Sequence, residues 1–338
     1  MGVTIDDIAR AANVSTATVS RVINDNYPVS ASARARVKSA IEQLGYRPNI
    51  FARGLMKAMT DSVGIVVPYL SNPYHTQIVD AIESELTKRD IFIYLCCAED
   101  PKIEREYLQR LIHRGVDVLI LVESFSMNLR GGLHLGLEKN FPVILVNEHL
   151  ALDAPHHIVR CAQEPGLKDA LNHFVDQGRK RIALLRGKMS YSFQLKEQLF
   201  KRFVMERRLV QSENPIIRIK DANNAEAVHE AAQCISELLK SSSPPDAVLA
   251  GNDLIGIGVL QGALAAGARV PEDLAIIGVD NTLISQISSP RLSSVDLQME
   301  NVGRITAETY FELRSSSFAP DVPIRRTIDS QFVQGGTS

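Results

Sequence analysis

Four side chains within six residues, Thr16, Ala17, Ser20 and Arg21, carry the chemistry for reading nucleic-acid bases. They offer two hydroxyls, a methyl and one guanidinium. Positions i, i+1, i+4 and i+5 share one face of a helix, and Asn24 extends that face. A half-buried helix showing such short groups suits the major groove of B-DNA, where bulkier side chains would hold the two backbones apart. Arg21 has the geometry for a bidentate contact with guanine. Thr4, Ser15, Thr18, Asn24, Ser30 and Asn49 are candidates for phosphate contacts, which fix register and carry no sequence information.

The elements that would hold this face are written around it. Thr4 is placed to N-cap a first helix, with Asp7 in the capping-box position, and Ile5, Ile8, Ala9 and Ala12 face inward. Ala12-Asn13-Val14 forms a turn, Ser15 caps the second helix, and Val19, Val22 and Ile23 make its buried stripe. A third helix runs from its cap at Ser30 to Leu44, with Val37, Ala40, Ile41 and Leu44 apolar and Gly45 as the stop. Arg34, Arg36 and Lys38 are expected on its outer side. After Pro48, the segment 50–57 is too short, and with Gly54 too weak, to be helical without a packing partner.

Charge is divided along the chain. Residues 1–60 hold eight basic and four acidic residues, a net +4, against −6 for the remainder with its 29 basic and 35 acidic residues. A small basic head on an acidic body localises phosphate affinity and makes it salt-dependent, and it argues against a general nucleic-acid coat protein. Cys96, Cys97, Cys161 and Cys234 contain no Cys-x-x-Cys pair and read as core thiols of a reducing cytosol, Cys96-Cys97 ending what looks like a buried strand. Neither a signal peptide nor an apolar run of membrane-spanning length is seen, so the expectation is a cytoplasmic protein, nucleoid-associated when bound to DNA, with no membrane partner.

Beyond Asp61 apolar runs alternate with helix-length amphipathic stretches. The runs are 63–67, 91–95, 118–122 and 143–146, then 182–185, 216–219, 247–250 and 274–279, which predicts two doubly wound parallel sheets. Ligands of such sheets bind where strand C-termini meet the following loops. By position these loops carry Asn72, Tyr74 and His75, then Ser124, Asn147, Asn252 and Asp280. Carboxamides and a carboxylate there suit a sugar or polyol, because each can bridge neighbouring hydroxyls. Asp253 is expected to cap the helix that it begins.

Catalytic signatures are missing. There is no Gly-x-Ser-x-Gly elbow, His-Glu-x-x-His pair or dinucleotide glycine fingerprint, and Gly187-Lys188 lacks the earlier glycine of a phosphate loop. Neither catalytic residues, a metal site nor a cofactor is predicted. The tail 334–338 is expected to be flexible and carries no heptads, so a homodimer is the economical assembly.

The stretches VTIDDIARAANVSTATVSRVIN, VSASARARVKSAIEQLGYRPN and ARGL closely resemble the LacI/GalR family of bacterial transcription regulators. Looser agreement continues through SNPYHTQI, GNDLIGIGVL, VPEDLAIIGVDN and LSSVDLQMENVG, with Asn252, Asp253 and Asp280 at motif positions. The resemblance implies a lambda-repressor-like helix-turn-helix head over 1–48, a hinge or linker over 49–60, and a periplasmic-binding-protein-like core over 61–338. Its N-subdomain would comprise about 61–160 and 291–322, and its C-subdomain about 161–290 and 323–338. It further implies a repressor that binds a pseudo-palindromic, double-stranded operator as a dimer. Leu55 would be wedged into the minor groove, Ala52 would allow close approach, and a sugar-like effector would occupy the inter-subdomain cleft.

One departure stands out. The family's usual cleft arginine falls at Glu197, so Glu197 is the candidate at that place, with Lys196 serving only if the register slips by one residue. Arg186 would either enter the cleft or pair with Glu197. Three alternatives stay open: a protein corepressor, since ARGL also resembles the catabolite-control branch; a solute-binding protein with the same core; and an enzyme using the cleft.

Overall fold

The structure is a computed structural model that describes residues 3–24, 27–46, 59–124, 141–147, 156–188, 190–209, 215–220, 222–316 and 322–338. It divides into two units, 1–60 and 61–338.

In the first unit, α1 (Ile5–Ala12), α2 (Thr16–Asn24) and α3 (Ala31–Leu44) enclose a core of Ile8, Ala9, Ala12, Val19, Val22, Val37 and Ala40. The sequence signals act as expected. Thr4 and Asp7 form a reciprocal capping box, Asn13 ends α1 in the left-handed region (φ 49°), and Gly45 does the same for α3 (φ 62°). Arg36 departs from the expected outer decoration, because its Nε donates to the Ala12 carbonyl at 3.0 Å and joins α3 to the end of α1.

The second unit contains two six-stranded sheets. The first has the order β11-β5-β4-β3-β1-β2, where β1 is Ser62–Val67, β2 Phe92–Cys97, β3 Val118–Val122, β4 Val143–Val146, β5 His157–Ala162 and β11 Arg325–Asp329. All of its strand pairs are parallel. The second has the order β12-β10-β9-β8-β6-β7, with β6 Ile182–Gly187, β7 Ile216–Ile219, β8 Ala247–Ala250, β9 Ala275–Asp280, β10 Ser293–Asp296 and β12 Gln331–Val333. Only β12 runs antiparallel to its neighbour. Each sheet therefore repeats one doubly wound order, with a switch point between β1 and β3 in one and between β6 and β8 in the other.

Helices α4 (Pro73–Thr87) and α5 (Pro101–His113) belong to the first sheet, and α6 (Glu164–Asp176), α7 (Tyr191–Glu206), α8 (Ala225–Leu238), α9 (Asp253–Ala265) and α10 (Leu283–Ile287) to the segment of the second. Helix α11 (Met299–Ser315) packs on α4, β4 and β5, so it serves the first sheet although it follows β10 of the second. The expected subdomain limits are corrected accordingly. The run 291–322 contains β10, which hydrogen-bonds to β9 in the second sheet, and 323–338 contains β11, which pairs with β5 in the first. The chain crosses between sheets after β5, after β10 and after β11. Ser330, at the last crossing, donates to the Gln163 carbonyl (3.1 Å) and accepts from the Gly166 amide (3.0 Å), which ties the last crossing to the first.

Two further expectations change. Strand β2 lies at a sheet edge rather than in the interior, with Phe92 61% and Leu95 42% exposed. The C-terminal tail is fixed, not flexible: buried Thr337 donates to the Ile276 carbonyl (2.7 Å) and accepts from the Ser293 amide (2.9 Å). Among the described residues no helix is long and apolar enough to cross a membrane.

Candidate functional site

The head presents the expected face. Val19 and Val22 of α2 are buried, which turns Thr16, Ala17 and Arg21 outward as exposed residues and leaves Ser20 half-buried. The Arg21 guanidinium lies 5.3 Å from the ring centre of Tyr27, an exposed aromatic that helical periodicity gave no reason to select. Ser15 accepts from the Thr18 amide at 3.1 Å, with the two hydroxyls 2.9 Å apart, and Ser30 accepts from the Ala33 amide at 3.4 Å. Thr4 Oγ1 accepts from the Asp7 amide (3.3 Å), while the Thr4 hydroxyl (2.7 Å) and backbone amide (2.9 Å) both donate to the Asp7 carboxylate and hold that carboxyl below the usual range. Three of the expected phosphate contacts, Thr4, Ser15 and Ser30, thus stand at helix N-termini, whose free N–H groups favour an anion. The side chain of Asn24, and Asn49, Ala52 and Leu55, lie outside the described residues.

In the second unit, a cavity of about 490 Å³ lies where both switch points converge. Six of the eight expected residues line it: Asn72, Tyr74, His75, Asn147, Asn252 and Asp280. Ser124 and Glu197 do not, and both are corrections. Buried Ser124 donates to buried Glu104 at 2.8 Å, away from the cavity; its predecessor Glu123 lines the wall instead and meets His75 Nε2 at 3.3 Å. Adjacent residues at a strand end point to opposite sides, so a one-residue error in reading that end exchanges wall for core. Tyr69, Tyr191 and Phe193 add aromatic surface, and Glu99, Gln194, Asn223 and Lys196 add polar groups that the strand-end rule did not select.

The carboxamides hold the protein's own loops. Asn72 accepts from the Tyr74 amide (3.0 Å), capping α4, and donates to Asn223 Oδ1 (3.0 Å) across the cleft. Asn147 donates to the Tyr74 hydroxyl and accepts from the Cys161 amide at 2.8 Å. Asn252 caps α9 by accepting from Ile255 N (3.0 Å) and donates to the Ala222 carbonyl (2.6 Å). Asp253, expected to cap α9, instead accepts from the Thr282 amide (2.6 Å) and from the hydroxyls of Thr282 (2.9 Å) and Ser294 (2.6 Å). Burial, only partly offset by those bonds, lifts its carboxyl to about 6.

Asp280 differs from these. It is buried, its φ of 111° lies where glycine is favoured, and its carboxylate has no hydrogen-bond partner among the described residues. Burial raises its pKa well above the usual carboxylate range; Lys196 opposes that rise, while Asp253 and Glu123 add to it. Lys196 on α7 is also buried, donates to Ser192 Oγ at 2.9 Å, and has its pKa lowered by burial against the pull of Asp280, Glu123 and Asp253. Glu197, the next residue, turns away. It accepts from Arg186 Nε of β6 (2.7 Å), Arg218 of β7 (2.6 Å) and Lys201 of α7 (2.7 Å). Burial alone would raise its pKa, but these three cations hold it at about 2. Arg186 is therefore Glu197's partner and does not enter the cavity.

Among the described residues no cluster of His, Cys, Asp and Glu could hold a metal ion. All four cysteines are free thiols.

Comparison with known proteins places both units in known families. Residues 4–49 match the bacterial regulatory proteins of the lacI family, and 171–338 match a periplasmic binding protein-like domain. The chain is 31% identical over 340 residues to catabolite control protein A of Priestia megaterium, covering 99% of this chain and 96% of that protein. It is 29% identical to an HTH-type transcriptional regulator of Lachnoclostridium phytofermentans, with 97% of each chain covered. Among solved structures, the lac repressor dimer bound to operator and the anti-inducer ONPF superposes with a TM-score of 0.84 at 22% identity, covering 100% of this chain and 99% of that one. The complex of the transcriptional regulator CelR with cellobiose gives 0.69 at 24% identity, covering 99% and 100%.

Proposed function

Since this chain belongs to the LacI family of bacterial regulatory proteins, we propose that it is a cytoplasmic repressor that binds a near-palindromic operator as a homodimer. Thr16, Ala17, Ser20 and Arg21 read base edges, while Thr4, Ser15, Thr18, Asn24, Ser30 and Asn49 fix register on phosphates. Ala52 and Leu55 of the hinge 49–60 enter the minor groove, where unstacking at the leucine kinks the duplex. The observation that carries this reading is the outward face of α2, with Thr16, Ala17 and Arg21 exposed above a fully apolar head core. Exposed Leu283 and Ile287, one turn apart on α10, and exposed Phe92 and Leu95 on β2 supply apolar surface for a second copy.

The cavity takes a small hydroxyl-rich effector. Direct bonds across the cleft mouth, Ser71 Oγ to the Asn223 carbonyl (2.9 Å) and Asn72 to Asn223, give effector-dependent lobe closure a physical handle. A ligand that favours one lobe geometry shifts the hinge through differential affinity for two states. The test is a binding titration on a mapped operator. Arg21→Ala should weaken specific binding by about 1–3 kcal/mol and relax choice at one base pair. Unchanged preference overturns the assignment of Arg21, and absence of any footprint on the protein's own promoter region at low salt overturns the function.

A further inference from the structure

The carboxamides of Asn72, Asn147 and Asn252 are engaged in holding loops, and among the buried charged groups that line the space Asp280 and Lys196 keep hydrogen-bonding capacity for a ligand. Asp280 is 5% exposed and has no partner among the described residues; Lys196 is 3% exposed and uses one of its three N–H donors, on Ser192. No ion pair within 4 Å joins Lys196 to any carboxylate of the described residues, although Asp280, Glu123 and Asp253 are all close enough to act on its charge. A ligand hydroxyl satisfies both groups at once, because it donates to a carboxylate and accepts from an ammonium. An anionic ligand gains the Lys196 cation but faces Glu99 and Glu123 on the same wall. A cationic ligand answers only Asp280 and meets Lys196.

The position of Lys196 follows from its neighbour. Successive helix residues diverge by about 100°, so rolling α7 by one position would carry Glu197 into the cavity and Lys196 out of it. Three charge-assisted bonds prevent that roll: Arg186 of β6 and Arg218 of β7 hold Glu197 from the sheet, and Lys201 holds it from the following turn. Phe193 and Phe200, both buried, anchor the same helix.

We propose that Lys196 is the specificity-determining cation of this cavity, that Glu197 is its positioning residue through the Arg186–Arg218–Lys201 cluster, and that Lys196 with Asp280 selects an uncharged, hydroxyl-rich ligand over its phosphorylated, carboxylated or aminated counterparts. This rests on the reading of the cavity as the effector site.

The experiment is a thermal-shift screen of the full-length protein followed by calorimetry. The probes are neutral mono- and disaccharides and polyols, hexose 6-phosphates, hexuronic acids and amino sugars. Hits are expected among the neutral probes alone. Lys196→Met should weaken a hit at least tenfold, as should Asp280→Asn. Glu197→Gln should weaken it several-fold in the native background and have no further effect on binding in the Lys196→Met background, while lowering the melting temperature in both. A merely structural Glu197 would leave affinity unchanged or act equally in both. If Glu197→Gln does not fold, Arg218→Met, which removes a half-exposed partner, gives the same comparison. A hit that loses affinity in Asp280→Asn but not in Lys196→Met overturns the proposal and keeps the site. A hit indifferent to Asp280→Asn overturns the site itself. A phosphorylated, carboxylated or aminated hit, or no neutral hit, overturns the ligand class.

Discussion

Glu197 shows how one side chain couples pH to stability here. Its ordinary pKa of 4.5 falls to about 2 in the fold because three cations outweigh the cost of burial. A depressed carboxyl stabilises the native state fully above its unfolded pKa and loses that contribution as pH falls toward its folded one. The difference in urea-unfolding free energy between the native chain and Glu197→Gln is therefore expected to be constant above about pH 5. It should shrink by roughly 2–3 kcal/mol as pH falls from about 4.5 toward 2. A difference that stays level over that range would show that the cluster does not bind the carboxylate as described. The residue was legible as an anomaly in the sequence and its partner Arg186 was one of two readings, yet its direction was not. A carboxylate beside a lysine gives no periodic signal for which of them faces the cleft. That choice was made by Arg186 and Arg218, which are brought to it by two separate strands.

At the scale of elements, the second sheet depends on two helices that approach unusually closely. Gly258 and Gly262 of α9 lie against α8, and a Cβ at either would overlap a backbone carbonyl, that of Val228 or of Ala232. Alanine raises intrinsic helix propensity by about 1 kcal/mol, but a clash with backbone is relieved only by moving a helix. Gly258→Ala is accordingly expected to lower stability by roughly 1–3 kcal/mol, measured as a fall in melting temperature. A rise would mean that α8 yields freely. Apolar runs revealed β1–β4 and β6–β9, and caps revealed the helices of the head. They did not reveal β5, β10, β11 or β12. Strand β11 alternates exposed and half-buried residues, and β10 is largely Ser and Asp in sequence though buried in place. Short polar strands are recognisable only once a neighbour supplies their ladder.

For the whole molecule the proposed regulation carries a thermodynamic obligation. If the effector changes operator affinity by some factor, saturating operator must change effector affinity by the same factor. Calorimetric titration of a sugar hit with and without operator should give that equality within error; effector binding that ignores operator would sever the cavity from regulation. By itself the sequence determined the three-helix head, the face of α2, the two doubly wound sheets and six residues of the cavity wall. Those features arise from local periodicity, capping and the rule that such sheets bind ligands at their strand ends. Tertiary structure alone decided which sheet receives β10 and β11, that the tail is clamped, and that the expected carboxamides brace loops. It also decided that Lys196, not Glu197, faces the cavity. Those outcomes depend on hydrogen bonds and charges that join separate strands, helices and loops, such as Asn72 to Asn223, Thr337 to Ile276 and Arg218 to Glu197, and the periodicity of a single element does not reveal them.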